Sequence, residues 1–285
     1  GLYGWSWPHG YYNIGMATAV AGSNAYLMTR APGYLELPRA QMDRILSLGE
    51  LRREDELQMS LGEHWAGVFQ ATPKGEKVFV VPYRYADSGW FDYQPMSPIY
   101  PAAIWHLSMD AGDWGRIERL READTYDWRR VIPFRGKEDA GHEAPWLRFL
   151  TGHNPGYPEA ILAESYAQVC RRMAQIKEDH ADLMQVHIHH WQQLNPVTTE
   201  ALVQLTLGAP QMIYNGGLLM APLRYFDQQR SRPGLPADVA ALVTHRDDQR
   251  ISLRLVNLSP FDRRDLIIQA GSFGEHQFLQ ARFPE

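Results

Sequence analysis

Two aspartates, Asp87 and Asp92, bracket the tetrapeptide S-G-W-F. A pair of carboxylic acids beside aromatic rings is what glycosidic hydrolysis requires. One acid protonates the leaving oxygen, and the other activates water or attacks the anomeric carbon. Asp92 stands between Phe91 and Tyr93, an apolar setting that would raise its pKa. Asp87 precedes Ser88-Gly89 and suits a turn equally well. A second acidic group comprises Lys137, Glu138, Asp139, His142, Glu143 and Trp146. Glu143 opens a helical run, where a carboxylate also complements the helix dipole. Glu138 and Asp139 read as solvated charges.

A third constellation is His187, His189, His190 and Trp191. On a strand the first two imidazoles would share a face, whereas on a helix His187 and His190 would. Zinc would need a further protein ligand, with Glu200 or His142 on offer, and no H-E-x-x-H spacing occurs. These imidazoles are therefore expected to hydrogen-bond a substrate or neighbouring loops, with no metal. The fourth group is His9, Tyr11, Tyr12, Arg84 and Tyr85. Its residue types fit a lyase, in which Arg or His neutralises a uronate carboxylate while a Tyr removes the α-proton. The run P-Y-R-Y also suits an edge strand carrying an aromatic ladder. No nucleophile elbow, phosphate loop or dinucleotide fingerprint is present, so no cofactor is expected.

The elements that must position these groups begin with the stretch from Trp5 to Gly49. Gly15, Ala17, Ala19, Ala21, Gly22 and Ala25 describe a helix that lets neighbouring backbones approach closely. After a break at R-A-P-G, an amphipathic helix follows with Leu35, Met42, Ile45 and Leu46 on one face. Together they form an αα-hairpin, with Trp5, Trp7, His9, Tyr11, Tyr12 and Asn13 at its mouth. Residues 64–71 and 77–85 read as a β-hairpin about Pro73 and Gly75, followed by a long loop through three prolines. Short helices are expected at Ala102–Met109 and at Asp113–Glu122, the latter capped by Asp113. A longer one is expected over Ala160–Glu178, with Ile161, Leu162, Tyr166, Val169, Met173 and Ile176 as its core stripe. Another runs from Pro196, capped by Asn195, to Gly208. Strands about Asn215-Gly216, a helical turn at Ala237–Val243 and three C-terminal strands complete the reading. The expected organisation is a helical-hairpin domain over 1–229, a linker over 230–237 and a small antiparallel β-module over 238–285.

Composition bounds the partners. With 45% apolar and 21% charged residues among 285, the chain is globular and long enough for a sizeable core. A net charge of -5, with its basic residues scattered, argues against nucleic acid. No apolar run approaches the roughly 20 residues of a membrane span, and no signal peptide opens the chain. It starts at Gly1 without a methionine, compatible with a removed leader, and the compartment stays open. The single cysteine, Cys170, excludes an internal disulfide and reads as a packing residue. Nine Trp and fourteen Tyr supply core packing and, at the loops, flat faces on which sugar rings could stack.

The W-P-H-G-Y-Y entry and the hairpin behind it resemble the inner and outer helix pairs of (α/α)-toroid carbohydrate-active enzymes. These are the six-hairpin glycosidase-like enzymes and related polysaccharide lyases. The resemblance is architectural and covers roughly the first 210 residues. It implies a mainly α fold of αα-hairpins, a funnel lined by aromatic loops, and an appended β-sandwich. A closed toroid needs twelve helices and this chain supplies about seven. A second chain or a missing N-terminal segment would then complete the ring. The function implied is a glycoside hydrolase using Asp92 and Glu143, with subsites lined by Trp5, His9, Trp90, Trp146, His190 and Trp191. The lyase and a non-catalytic glycan-binding protein are the alternatives.

Overall fold

The computed structural model describes residues 10–56, 75–86, 89–133, 141–187, 190, 194–212, 217–218 and 220–283, with backbone alone at 10–17, 54, 83–86 and 90–92. Helix α1 spans Tyr12–Thr29, and a 3-10 turn over Pro32–Leu35 leads into α2, Glu36–Ser47. At Gly22 the close helix approach expected of the small residues is seen. A Cβ on Gly22 would lie 2.6 Å from Pro38 Cγ and 2.6 Å from the Tyr34 carbonyl oxygen, so only glycine lets the two arms close. Leu35, Met42 and Ile45 of the second arm are buried against the hairpin's own core.

Strand β3, Val78–Ala86, organises the first sheet. One edge pairs with β4, Gly89–Pro95, and the other carries β1, Gly10–Tyr11, near one end and β2, Glu50–Arg52, near the other. Strand β4 opens at Gly89, whose φ of 104 would strain any side chain.

Beyond the sheet, α3, Ile99–Ser108, is buried along nearly its whole length and forms the centre of the main core. Helix α4, Ala111–Ala123, packs on it. Its N-cap is Asp110, whose side chain accepts from the Gly112 N–H at 2.8 Å. Asp113, expected in that role, is instead fully buried. It takes both Nε and Nη2 of Arg39, at 2.9 and 2.6 Å, Nη1 of Arg116 at 2.6 Å, and the Ser108 hydroxyl at 2.6 Å. Arg116 also reaches Asp43 at 2.7 Å. This network ties α2 to α4 across more than seventy residues of sequence.

Helices α5, Glu143–Leu150, and α6, Tyr157–Glu178, follow. Buried positions on α6 are Tyr157, Ile161, Ser165, Gln168 and Arg172. Leu162, Tyr166, Met173 and Ile176, expected in the core, face outward, and so does Cys170. The helix carries two apolar-looking stripes, and the neighbours selected the one with the smaller hydrophobic content. Helix α7 is only Glu200–Leu202, but it continues as a π-helical turn through Leu207 and ends at left-handed Gly208. Asn195 does not cap it; its side chain accepts from the Val197 N–H at 3.1 Å within an irregular stretch.

The C-terminal part contains β5, Leu223–Asp227, and β6, Arg232–Pro233, with β7, Val239–Arg246, β8, Ile251–Asn257, and β9, Leu266–Ala270. Strand β5 lies between β6 and β9, while β7 pairs only with β8. The stretch 230–237 thus carries β6 within a sheet, β7 replaces the helical turn expected at Ala237–Val243, and the expected last strand near residues 276–283 is irregular. Leu223, Tyr225, Ala241 and Val243 form a second, smaller core.

This architecture overturns the expected mainly α toroid. Among the described residues, seven helices stand beside three small antiparallel sheets of four, three and two strands, a mixed α/β fold. The largest departure is β4, read from sequence as a proline-rich loop. The expected hairpin arm at 64–71 and the centre of the 211–226 hairpin lie outside the described residues. No helix among the described residues is long and apolar enough to cross a membrane.

Candidate functional site

Two groups of candidate residues emerge, each held by a different part of the fold. The first is defined by backbone register. Pairing of β1 with β3 sets Tyr11 opposite Arg84 and Gly10 opposite Tyr85. On the other edge, Arg84 faces Phe91 and Tyr85 faces Trp90. Two rows therefore cross three strands, Tyr11–Arg84–Phe91 and Gly10–Tyr85–Trp90. Asp92 follows the first row directly, and Tyr12 opens α1 beside it. The sequence set of Tyr12, Arg84, Tyr85, Trp90 and Asp92 is thus gathered at one end of one sheet. Trp5, Trp7, His9 and Asp87 lie outside the described residues.

The second group is built at the start of α5. His142 precedes the helix, Glu143 begins it and Trp146 follows one turn later; all three are buried. Glu200, fully buried at the start of α7, accepts hydrogen bonds on both oxygens. One takes the backbone N–H groups of Gly141 and His142, at 2.9 and 2.7 Å, with the Gln204 amide at 3.2 Å. The other takes His142 Nδ1 at 2.8 Å. His142 Nε2 in turn donates to the Ile132 carbonyl at 2.7 Å, and the Tyr157 hydroxyl donates to Gln204. The π-helical turn contains Gln204, so the irregular helix aims its amide back at Glu200 one turn earlier.

Electrostatics divides these groups sharply. Burial alone would lower the His142 pKa, but the charge and hydrogen bond of Glu200, with the Ile132 carbonyl, raise it above the usual histidine value. Each ring nitrogen of His142 lies within hydrogen-bonding distance of an oxygen, Nδ1 of Glu200 and Nε2 of the Ile132 carbonyl. Glu143 has the opposite surroundings. It is fully enclosed, and neither carboxyl oxygen has a hydrogen-bond partner among the described residues. Burial first, and then the Glu200 charge, push its pKa up to about 8, against partial opposition from its own backbone N–H and from His142. The surroundings thus favour the protonated form of His142 and of Glu143 alike. The indole N–H of Trp146 also lacks a partner among the described residues.

Among the described residues, His190 does not join this cluster. His190 bonds Asp179 at 2.8 Å, just past the C-terminal end of α6. Tyr157, at the other end of that helix, lies 3.4 Å from the His142 carbonyl. With 22 residues in α6, the two ends stand about 33 Å apart at 1.5 Å per residue, so His190 and Glu143 line no common cleft. His189, Trp191, Lys137, Glu138 and Asp139 lie outside the described residues. Among the described residues no three His, Cys, Asp or Glu side chains gather as a metal site. Sequence reasoning missed Tyr157 and Gln204 and gave Glu200 only a possible metal role. The pattern Glu200-x-x-x-Gln204 was the available signal, since i and i+4 share a helix face.

No curated protein and no solved structure shows significant similarity to the chain. One family model does match, over residues 1–203, and its description is a domain of unknown function, DUF8034. It spans both groups of candidate residues, from β1 through Glu200, and the chain therefore belongs to the DUF8034 family.

Proposed function

We propose that the protein hydrolyses glycosidic bonds, with Glu143 as the proton donor to the leaving oxygen. The observation that supports this reading is the state of that carboxyl. A general acid must carry its proton at the working pH, and an enclosed carboxyl without hydrogen-bond donors holds one up to about pH 8. Trp146, one turn along α5, supplies an aromatic face and an unpartnered donor beside it. Because the enclosure itself sets the pKa, contact with substrate couples opening of the site to release of the proton. Asp92 on β4 is the proposed second carboxylate.

The test uses Glu143→Gln and Asp92→Asn on a panel of oligosaccharides. Loss of the acid should cost roughly 10²- to 10⁴-fold in turnover of natural leaving groups. The loss should be far smaller for an aryl glycoside whose leaving phenolate needs no proton. Unchanged turnover by Glu143→Gln on natural substrates would remove the assignment. Binding without product in the unaltered protein would favour the glycan-binding alternative.

A second reading is supported by the register of β1, β3 and β4. Tyr11, Arg84 and Tyr85 on adjacent strands, with Tyr12 next in sequence, supply the residue types of a polysaccharide lyase. It predicts an absorbing unsaturated uronate product, abolished by Tyr85→Phe or Tyr12→Phe and indifferent to Glu143→Gln.

A further inference from the structure

A cleft lined by helical, strand and loop residues brings together two guanidinium groups and two imidazoles whose pKa values burial lowers. It is lined by Arg30 at the end of α1, His106 at the end of α3, Met220–Pro222, Arg246 at the end of β7, and Glu275 and His276 from the C-terminal loop. Two guanidinium groups and two imidazoles thus face one carboxylate. That carboxylate is already engaged, since Glu275 accepts from the backbone N–H groups of Ser272 and Phe273, at 3.2 and 2.8 Å.

The arginines have neutral partners only. Arg246 donates to the His106 ring and, at 2.7 Å, to the His106 carbonyl. The second ring nitrogen of His106 meets the Met220 carbonyl, so this histidine serves as a neutral acceptor. Burial, reinforced by the Arg246 charge, holds its pKa well below the usual value. Arg30 reaches His276 Nε2 at 2.6 Å and lies over the Tyr26 ring at 5.5 Å. Neither Arg30 nor Arg246 forms an ion pair with a carboxylate among the described residues, whereas Arg39, Arg116 and Arg264 do. A half-buried guanidinium facing only neutral groups carries a desolvation cost that an incoming negative charge would offset.

We propose that this cleft binds a small oxyanion, the carboxylate or phosphate head of a ligand, clamped between Arg30 and Arg246 with His276 beside it. The geometry limits its size. The space between the lining atoms is about 240 Å³ with open solvent included, of which about 10 Å³ accepts a water-sized sphere. One or two oxygens enter, and the body of the ligand stays outside. Arginine suits that task because its fork presents paired N–H groups to two oxygens. The elements around the cleft come from both the helical part and the β-strands, so a bound anion would bridge them.

Titration calorimetry of the full chain with inorganic phosphate, acetate and glucuronate, at constant ionic strength in chloride, tests this. Saturable binding of at least one is expected, weakened roughly tenfold or more in Arg30→Gln and by a smaller factor in Arg30→Lys, which keeps the charge and loses the fork. Arg246→Gln should abolish it. Should that variant not fold, the Arg30 pair decides alone. Tighter binding of phosphate than of the carboxylates assigns a phosphorylated ligand, and the reverse order assigns an acid sugar or carboxylate. Absence of saturable binding of all three, or equal affinity in Arg30→Gln and the unaltered protein, would overturn the proposal. Glu143→Gln should bind the anion normally, which keeps this result independent of the proposed hydrolysis.

Discussion

Replacing Glu143 by glutamine should make the protein more stable at alkaline pH and leave it nearly unchanged in acid. The amide has the shape of the protonated carboxyl and cannot ionise. In the unfolded chain the carboxyl titrates near its ordinary 4.5, whereas the folded enclosure holds the proton up to about 8. The folded pKa is the higher one, so the folded state binds more protons between these values. Stability then falls as pH rises through that window, by about 1.4 kcal/mol per pH unit. Accumulated, the unaltered protein loses about 3 kcal/mol by pH 7 and up to about 5 kcal/mol above pH 8, relative to pH below 4.5. His142, whose folded pKa is also raised, adds a loss of the same sign as pH rises. Urea unfolding of both proteins at pH 5, 7 and 8.5 measures the difference. Glutamine should gain several kcal/mol between the extremes. A difference that stays constant from pH 5 to 8.5 would mean that the carboxyl ionises normally, and the proton-donor argument would fail with it.

Two structural predictions follow from close packing. Gly22→Ala places a methyl 2.6 Å from both Pro38 Cγ and the Tyr34 carbonyl, and the backbone atom cannot step aside. Thermal melting should show a loss of roughly 1–3 kcal/mol. Asp113→Ala removes the shared partner of Arg39 and Arg116 and leaves two guanidinium groups against α4. Denaturant unfolding should report a loss of about 3–5 kcal/mol, and a loss below 1 kcal/mol would show that water substitutes readily for the carboxylate.

The first hairpin was legible because its signals are local: a run of small residues, a break at R-A-P-G, then an amphipathic face. Strand β4 was not, because W-F-D-Y-Q has little alternation, and β3 had already been given to a different partner. The turn signal at Asp87-Ser88-Gly89 is present in the sequence, but it does not by itself say that a strand follows. Asp113 looks like an N-cap from its position and becomes a buried ion-pair hub through Arg39, seventy-four residues away. On α6, Tyr166 and Met173 satisfy helical spacing as well as Tyr157 and Ile161 do, and only tertiary contacts choose between the stripes. Glu143 and His142 were found from residue type beside an aromatic. Their raised pKa values depend on burial and on Glu200, which no spacing in the chain connects to them.

Gly208 gives the polypeptide a property beyond its local geometry. A side chain there would come within 2.9 Å of Val243, and Tyr225 from β5 donates to the Thr206 carbonyl at 2.6 Å. The π-helical turn is thereby packed directly against β7. Detaching the strands would uncover this turn and leave the Thr206 carbonyl without the Tyr225 hydroxyl. The two cores are therefore expected to melt in one transition, which coincident melting followed by helix and strand signals would check.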